Sequence, residues 1–250
     1  MTLRVRGLRK EFGARTVLAG IDLDVAAGEF LAVLGANGSG KSTALRCVVG
    51  LETPTAGAIE VGGDGVAAMV FQKIHLVGRR SALDNVCAGA LGRLPLRRSL
   101  TPALFPRALR EEAMACLDRV GLADRAAEPA RRLSGGQQQR VAIARALCQR
   151  ATLLLADEPV SALDPKAAEQ VVALLAELAR DGLAVAAVLH QPALARAHAD
   201  RIVGLLGGRI DLDAPASAVG DHDVDRLYAP DEHAPDKFSP EPVPAEQEVR

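Results

Sequence analysis

Hydrophobic and polar positions alternate along the beginning of the chain. The stretches "LRVRGLRKEFG" and "TVLAGIDLDV" therefore predict two half-buried strands that are separated by a glycine turn. The next apolar run, "GEFLAVLG", is nearly continuous, as is typical of a short strand buried on both faces. A glycine-rich turn follows, and the pattern of "KSTALRCVVG" predicts a helix that ends at Gly50.

The second half of the chain alternates between apolar runs and helical periodicity. "ATLLLADEP", "LAVAAVLH" and "RIVGLLGGRI" each predict one strand, and helices are predicted over residues 165–180 and around residues 193–200. Residues 84–122 have a helical pattern that is broken by "LPLRRSLTPALFP", a segment rich in proline and arginine. Strands that alternate with helices predict an α/β fold, with a mostly parallel sheet flanked by helices.

Composition and charge disfavour several classes of protein. With only 2% aromatic residues, the core of this 250-residue chain must be aliphatic, and a net charge of -1 disfavours a nucleic-acid-binding protein. The four cysteines, at positions 47, 87, 116 and 148, are too widely spaced for a zinc site and favour a reducing compartment. The sequence has no signal-peptide pattern and no apolar run of about 20 residues, so we expect contact with a membrane only through a partner.

The last part of the chain differs in composition from the rest. Proline, glutamate and aspartate prevail from Asp231 onward, and little of this segment could be buried. We therefore predict a folded domain over residues 1–228 and an acidic, proline-rich, disordered tail over residues 229–250.

The glycine-rich turn carries a phosphate-binding pattern. "GANGSGKST" fits G-x-x-x-x-G-K-[ST] and lies between a predicted buried strand and a helix. Its backbone N–H groups suit phosphate oxygens, while Lys41 suits the β- and γ-phosphates of ATP and Ser42 suits Mg²⁺. The alternative is a glycine-rich turn with a solvated lysine. The predicted nucleotide-binding residues of this loop are Gly35, Asn37, Gly38, Ser39, Gly40, Lys41, Ser42 and Thr43.

Two adjacent acids end the predicted buried strand in "LLLADEP". Ligands bind at the carboxyl ends of parallel strands in α/β proteins, so both acids are candidate site residues. Asp157 suits a contact to Mg²⁺, direct or through water, and Glu158 suits the polarisation of an attacking water molecule. The alternative is a polar exit from the strand into a loop.

The stretch "RRLSGGQQQRVAIARAL" begins a predicted helix in an unusual way. Ser134 and Gln137 have the S-x-x-Q spacing of a capping box, which accounts for the polar start. A capping box does not explain Gly135 and Gly136, since each glycine disfavours a helix by roughly 1 kcal/mol relative to alanine. A helix N-terminus without side chains allows close approach to a phosphate, yet the chain already has a phosphate loop at Lys41.

Taken in order, these motifs resemble those of ABC-type ATPases, and the resemblance extends from residue 3 to about residue 210. "LSGGQQQR" resembles the family signature, Gln72 in "MVFQK" the Q-loop, "SALD" the D-loop, and His190 in "VLHQP" the switch histidine. Phe12 stands where the family has an aromatic residue that stacks on adenine. The resemblance implies a P-loop NTPase fold of the ABC type. Such a fold has a mostly parallel core sheet, an antiparallel β edge subdomain, and a helical signature subdomain over approximately residues 73–150.

The resemblance also implies the catalytic and metal-binding roles. Glu158, His190 and Gln72 would be catalytic, with His190 holding the γ-phosphate and Gln72 contacting Mg²⁺ or the lytic water. Gln72 would also report nucleotide occupancy to a membrane partner. Ser42, Gln72 and Asp157 would surround the metal. Taken singly, Gln72 could be a surface glutamine and His190 a satisfied residue at a strand end.

The signature also implies a role for a second copy of the chain. The resemblance implies that Ser134, Gly135, Gly136 and Gln137 face the γ-phosphate bound by the other subunit of a homodimer. Asp164, at the end of "SALD", would contact that subunit, and Phe12 would contact the base. Phe12 is equally consistent with core packing in a chain so poor in aromatic residues.

The segment "HLVGRRSALDNVCAGALGRLPLRRSL" resembles that of phosphonate importer ATPases. This resemblance implies an ATPase, dependent on ATP and Mg²⁺, that energises the uptake of phosphonate or a related oxyanion. Its partners would be permease subunits and a substrate-binding protein, at the cytoplasmic face of the membrane, with no nucleic acid. Import of another small solute, or an accessory role in phosphonate breakdown, stays open. The arginines at 93, 97, 98, 107 and 110 could equally be a solvated face.

One segment departs from the importer pattern. Between "TAGAIEVGGDG" and "VAAMVFQK" the chain is shorter than in importer ATPases, and Gly62, Gly63 and Gly65 bridge the gap. We expect the strand that leads to Gln72 to form, with a trimmed edge beside it.

Overall fold

The computed structural model describes residues 1–62, 65–95 and 104–229 of the chain. Gly63, Arg97 and Arg98 lie outside the described residues, as does the predicted acidic tail from Pro230 onward.

Two sheets account for the strands of the described residues. In chain order the strands are β1 (Leu3–Phe12), β2 (Arg15–Val25), β3 (Phe30–Leu34), β4 (Ala56–Val61), β5 (Ala67–Val70), β6 (Leu153–Asp157), β7 (Ala184–Val188), β8 (Arg201–Leu206) and β9 (Arg209–Pro215). Three strands form an antiparallel sheet in the order β2-β1-β4, and six form the core sheet in the order β5-β6-β7-β3-β8-β9. Every neighbouring pair in the core sheet is parallel except β8 and β9. The predicted α/β class, with a mostly parallel core sheet and an antiparallel edge sheet, is confirmed.

Helices cover the core sheet and form a group of their own between β5 and β6. In chain order they are α1 (Lys41–Val48), α2 (Ala82–Cys87), α3 (Arg107–Arg119), α4 (Gly135–Leu147), α5 (Pro165–Arg180), α6 (Pro192–His198) and α7 (Asp221–Tyr228). Between α2 and α3 the described part contains a 3₁₀ turn over Ala88–Arg93. Buried residues of α2, α3 and α4 belong to one hydrophobic core that continues under α5. The predicted helix over residues 165–180 is confirmed with the same bounds. It begins at Pro165 because the Asp164 side chain caps the helix and proline is favoured in its first turn.

The side chains of β3 alternate between two cores. Phe30, Ala32 and Leu34 point into the core under the helices, whereas Leu31 and Val33 point into the core between the two sheets. All five residues are buried, as the nearly continuous apolar run predicts for a central parallel strand. This strand leads directly into the glycine-rich loop, so the loop starts from the most buried part of the sheet.

The prediction of a single strand over "RIVGLLGGRI" is wrong, because this segment turns back on itself. β8 and β9 form an antiparallel hairpin, and the turn is made by Gly207 and Gly208 with φ of 54° and 76°. Two consecutive residues with positive φ make the kind of turn that matches the twist of a hairpin, and glycine adopts it without a steric cost.

Gly62 and Gly65, the described glycines of the shortened segment, each make a backbone hydrogen bond. Gly62 donates a backbone hydrogen bond of 2.8 Å to the Thr2 carbonyl, and Gly65 donates one of 3.1 Å to the Gly62 carbonyl. β5 then pairs in parallel with β6. The strand that leads to Gln72 therefore forms at the edge of the core sheet, as expected.

The described ranges contain neither a membrane-spanning helix nor a disulfide. No helix there is long and apolar enough to cross a bilayer. The four cysteines are buried free thiols, and burial raises the pKa of Cys87 to about 11.

Helix α7 packs beneath the phosphate loop. Leu227 is fully buried, and its methyl groups lie where a side chain on Gly204 of β8 would be. The next residue of β8, Leu205, places its carbonyl directly under Gly35 at the start of the loop. The last helix thus supports the strand on which the loop rests.

We expect L227A to lower the free energy of unfolding by about 2–5 kcal/mol, because it would leave a cavity between α7 and β8. Urea unfolding measures this value. Asp225 is exposed on the same helix, and D225A should change stability by no more than about 0.5 kcal/mol. Equal, small effects of the two substitutions would show that α7 is not part of the folded unit.

Candidate functional site

Four parallel strands end at the same edge of the core sheet, and each carries a predicted site residue. Gln72 lies two residues beyond β5, Asp157 ends β6, His190 lies two residues beyond β7, and β3 leads into the loop of residues 35–40. β5, β6, β7 and β3 are consecutive neighbours in the sheet, so their carboxyl ends are adjacent. This edge is where α/β proteins bind ligands.

The backbone of the phosphate loop requires glycine at defined positions. Gly35, Gly38 and Gly40 have φ of 141°, 85° and 102°, which residues with a side chain rarely adopt. A Cβ on Gly35 would also collide with the Leu205 carbonyl, and one on Gly40 would lie 2.6 Å from the Leu18 side chain. One face of the loop therefore packs against β2 and β8, and the opposite face is the one that a ligand can contact.

Lys41, the first residue of α1, lies inside this loop. Its side chain is only 5% exposed, and Nζ donates hydrogen bonds of 2.7 Å to the Gly35 carbonyl and 2.8 Å to the Ala36 carbonyl. Burial lowers the pKa of the Lys41 ammonium below its usual value, while the carboxylates of Glu158 and Asp157 oppose this shift. A buried ammonium ion beside two acids is poised for an anionic ligand.

Two hydroxyl groups complete the loop. Ser39 Oγ is buried and has no hydrogen-bond partner among the described residues, as expected of a donor reserved for a ligand. Ser42 Oγ donates a hydrogen bond of 2.7 Å to Asp157 Oδ1, which joins α1 to the end of β6. Asp157 is 5% exposed.

The Ser42 and Asp157 oxygens fit Mg²⁺, a hard cation that prefers oxygen ligands. It is usually held by one or two protein groups, with phosphates and water completing the shell. The described residues contain no group of three or more histidines, cysteines and acids that could hold a metal without a ligand. The donor set therefore suits a metal that arrives with phosphate.

Glu158 has a strained backbone and a histidine partner. Its φ is 50°, one of two positive values among the described residues other than glycine. Such a conformation costs of order 1–3 kcal/mol and persists where the surroundings impose it. Glu158 Oε1 lies 2.7 Å from His190 Nε2, and both side chains are partly exposed. The two residues thus form an acid–base pair next to Lys41.

Gln72 is connected with the turn at Glu158 through Ser161, a residue that was not among the predicted site residues. Gln72 Nε2 donates a hydrogen bond of 3.2 Å to Ser161 Oγ, and Ser161 Oγ donates one of 3.2 Å to the Glu158 carbonyl. Ser161 is the first residue of "SALD". Its position three residues after Glu158 was the one sequence signal for this role, since a serine hydroxyl at that spacing can hydrogen-bond back to the turn.

The start of α4 forms the predicted capping box. The Gln137 N–H donates to Ser134 Oγ at 3.3 Å, and the Ser134 N–H donates to Gln137 Oε1 at 2.9 Å. The two glycines also have a reason within one chain that the sequence did not reveal. A Cβ on Gly135 would lie 3.1 Å from the Leu163 side chain, and one on Gly136 would lie 3.1 Å from the Ala167 side chain. Small residues therefore let α4 pack closely against the start of α5.

Asp164 and Phe12 lie at the surface. Asp164 caps α5 by accepting a hydrogen bond of 2.9 Å from the Ala167 N–H. Phe12 is 47% exposed at the end of β1, with Lys10 Nζ 4.5 Å from the ring centroid. This exposure is inconsistent with core packing and leaves one side of the ring available for stacking.

Apart from Phe12 and Asp164, the predicted residues fall into two groups. Those that the fold brings to one edge of the core sheet are Gly35, Asn37, Gly38, Ser39, Gly40, Lys41, Ser42, Thr43, Gln72, Asp157, Glu158 and His190. Ser134, Gly135, Gly136 and Gln137 form a separate exposed helix end. Within the described ranges no hydrogen bond or ion pair connects that helix end with the phosphate loop.

Comparison with known proteins places these features in context. A family model described as ABC transporter matches residues 18–161, more than half of the chain. A phosphate-import ATP-binding protein, PhnC, of Mycolicibacterium smegmatis is 49% identical over 240 residues, covering 89% of this chain and 90% of the relative. A phosphonates import ATP-binding protein, also PhnC, of Stutzerimonas stutzeri is 44% identical, covering 95% and 93%. A hypophosphite import ATP-binding protein, HtxD, of Stutzerimonas stutzeri is 43% identical, covering 91% and 71%.

Solved structures show the same fold. A metal-chelate type ABC transporter in an inward-facing conformation has a TM-score of 0.80 and 30% identity, covering 90% of this chain and 88% of that chain. A dimeric ATP-binding cassette in a post-hydrolysis state, bound to ADP and Pi, has a TM-score of 0.69 and 32% identity, covering 87% and 100%.

Proposed function

Because the chain belongs to the ABC transporter family, we propose that it is the ATP-hydrolysing subunit of a membrane importer. The observation that carries this proposal is the convergence of Lys41, Asp157 and the Glu158–His190 pair on one edge of the core sheet. A buried cation, two acids and a histidine beside a glycine loop are the groups that phosphoryl transfer to water requires.

The loop of residues 35–40 binds the phosphates of ATP. Its backbone N–H groups and the N-terminus of α1 supply partial positive charge, and Ser39 Oγ supplies a donor that has no other partner in the described part of the chain. Lys41 exchanges its two carbonyl partners for phosphate oxygens, a stronger, charge-assisted interaction. Phe12 stacks on the base.

Ser42 and Asp157 are the proposed ligands of Mg²⁺, and Gln72 is a third candidate. When bound, the metal neutralises charge that develops on the phosphates. Because the Ser42 hydroxyl and the Asp157 carboxylate are already joined, the site needs little rearrangement to receive the ion.

Glu158 and His190 act on the attacking water. Glu158 accepts a hydrogen bond from the water and polarises it, while His190 holds Glu158 in place and contacts the γ-phosphate. Most of the rate enhancement comes from this positioning and from charge neutralisation by Lys41, since phosphoryl transfer needs little covalent help from the protein.

Two chains form the complete site. Ser134 and Gly135 at the N-terminus of α4 are exposed, and no described hydrogen bond connects them with residues 35–40 of their own chain. We therefore assign this helix end to the γ-phosphate held by a second copy. Ser134, Gly135, Gly136 and Gln137 contribute this face, and Asp164 contacts the copy. The dimeric relative bound to ADP and Pi supports this arrangement.

The cargo is a phosphonate or a related phosphorus oxyanion. Support comes from the three relatives above, which are named for the import of phosphate, phosphonates and hypophosphite. The partners are permease subunits and a substrate-binding protein, at the cytoplasmic face of the membrane. Residues 1–228 form the ATPase domain, with a helical subdomain over approximately residues 73–150, and residues 229–250 form a tail.

E158Q should keep ATP affinity within about threefold of the wild type and lower the turnover number by at least about 100-fold, because glutamine keeps the shape but cannot accept a proton. K41A, in contrast, should lose ATP binding. Calorimetric titration and phosphate release measure the two effects. Turnover of E158Q within tenfold of the wild type would contradict the assignment of Glu158.

S134A should lower ATP hydrolysis by about tenfold or more and leave ATP binding by the dilute monomer unchanged, since Ser134 serves the nucleotide of the other chain. S81A is the matched control, because Ser81 caps α2 through a 3.0 Å hydrogen bond from the Asp84 N–H. Loss of either cap costs about 1 kcal/mol of stability. Equal loss of hydrolysis in the two variants, or weakened ATP binding by monomeric S134A, would contradict a shared site.

The cargo is tested by reconstitution with candidate permease and binding-protein pairs. We expect methylphosphonate, phosphate or hypophosphite to stimulate ATP hydrolysis several-fold, with sulfate and an amino acid as controls. Stimulation by the amino acid alone would overturn the assignment of cargo and leave the ATPase assignment intact.

A further inference from the structure

Ser161 connects Gln72 with the turn that carries Glu158. Its backbone N–H lies 3.3 Å from the Glu158 carbonyl, and its hydroxyl donates to the same carbonyl at 3.2 Å. The hydroxyl also accepts a hydrogen bond of 3.2 Å from Gln72 Nε2. A single chain of hydrogen bonds thus runs from the end of β5 to the strained residue after β6.

The direction of these bonds decides how the Gln72 amide faces. A serine hydroxyl has one hydrogen to donate, and here that hydrogen goes to the Glu158 carbonyl. The hydroxyl can then accept from the amide nitrogen of Gln72, which gives it two hydrogen bonds. The reverse orientation, with Gln72 Oε1 against Ser161, would take the same hydrogen and leave the hydroxyl with one bond instead of two.

An amide nitrogen that faces Ser161 leaves Oε1 turned away from it. Oε1 is the only atom of the Gln72 side chain that can bind a metal ion or accept a hydrogen bond from water. The Gln72 side chain is exposed, and Ser161 provides the one side-chain hydrogen bond that it makes within the described residues. No other described side-chain hydrogen bond selects between the two orientations of the Gln72 amide.

We propose that Ser161 is a positioning residue whose hydroxyl orients the Gln72 amide so that Oε1 faces the nucleotide site. This inference rests on the proposed ATPase function. The same hydroxyl donates a hydrogen bond to the Glu158 carbonyl. A movement of the Gln72 side chain is therefore transmitted to the Glu158 turn by the Ser161 side chain.

The kinetic test compares S161V with S161T, which have the same shape and differ in the hydroxyl, together with S161A. We expect S161A and S161V to lower kcat by about tenfold with little change in the KM for ATP, and S161T to recover most of the loss. In a Q72A background, S161A should lower kcat by much less than tenfold, because only the hydrogen bond to the Glu158 carbonyl then remains to be lost.

A second measurement needs no turnover. In a ¹⁵N NMR spectrum of the nucleotide-free protein, the side-chain amide signals of Gln72 are those that Q72A removes. These signals should shift and exchange faster with solvent in S161V, and S161T should restore the wild-type positions.

Unchanged Gln72 amide signals in S161V would overturn the proposal, as would an equal loss of kcat from S161A with and without Gln72. The ATPase assignment is tested separately by E158Q, so its failure and the failure of this inference are distinguishable.

Discussion

The hydrogen bond between Ser42 and Asp157 joins the two halves of the site. It links residues 115 positions apart, one at the start of α1 and the other at the end of β6, across strands that are not neighbours in the sheet. With this bond in place, the loop of residues 35–40, the Ser42 and Asp157 oxygens and the Glu158 turn have one common geometry. Lys41, buried between them, depends on that geometry because an ammonium ion out of water needs its acids close by.

Support for this geometry comes from behind the loop. The Leu205 carbonyl and the Leu18 side chain occupy the space that side chains at Gly35 and Gly40 would need, and Leu227 fills the corresponding space beside Gly204. The antiparallel sheet, the β8–β9 hairpin and α7 therefore act together as a backing for one loop. A defect in any of them would displace the backbone N–H groups of residues 35–40 without touching Lys41, Asp157 or Glu158.

The glycines at the start of α4 illustrate how much of the site the sequence predicts. Their position in a capping box, and the suitability of this helix end for a second phosphate, could be recognised from the sequence pattern alone. Their contacts with Leu163 and Ala167 could not, because the packing of α4 against the start of α5 joins segments that no local pattern relates. The same holds for Ser161, whose partner Gln72 is 89 residues away.

The local sequence determined the continuous apolar strands β3 and β6, the periodic and capped helix α5, and the motif order that identifies the family. Glycine at positions 207 and 208 also carried a turn signal, but an apolar run on both sides of it resembled one buried strand. Only the tertiary structure decided the direction of β9, the orientation of the Gln72 amide and the backing of the phosphate loop. Each of these depends on contacts between distant segments, and such contacts have no signature in local composition or spacing.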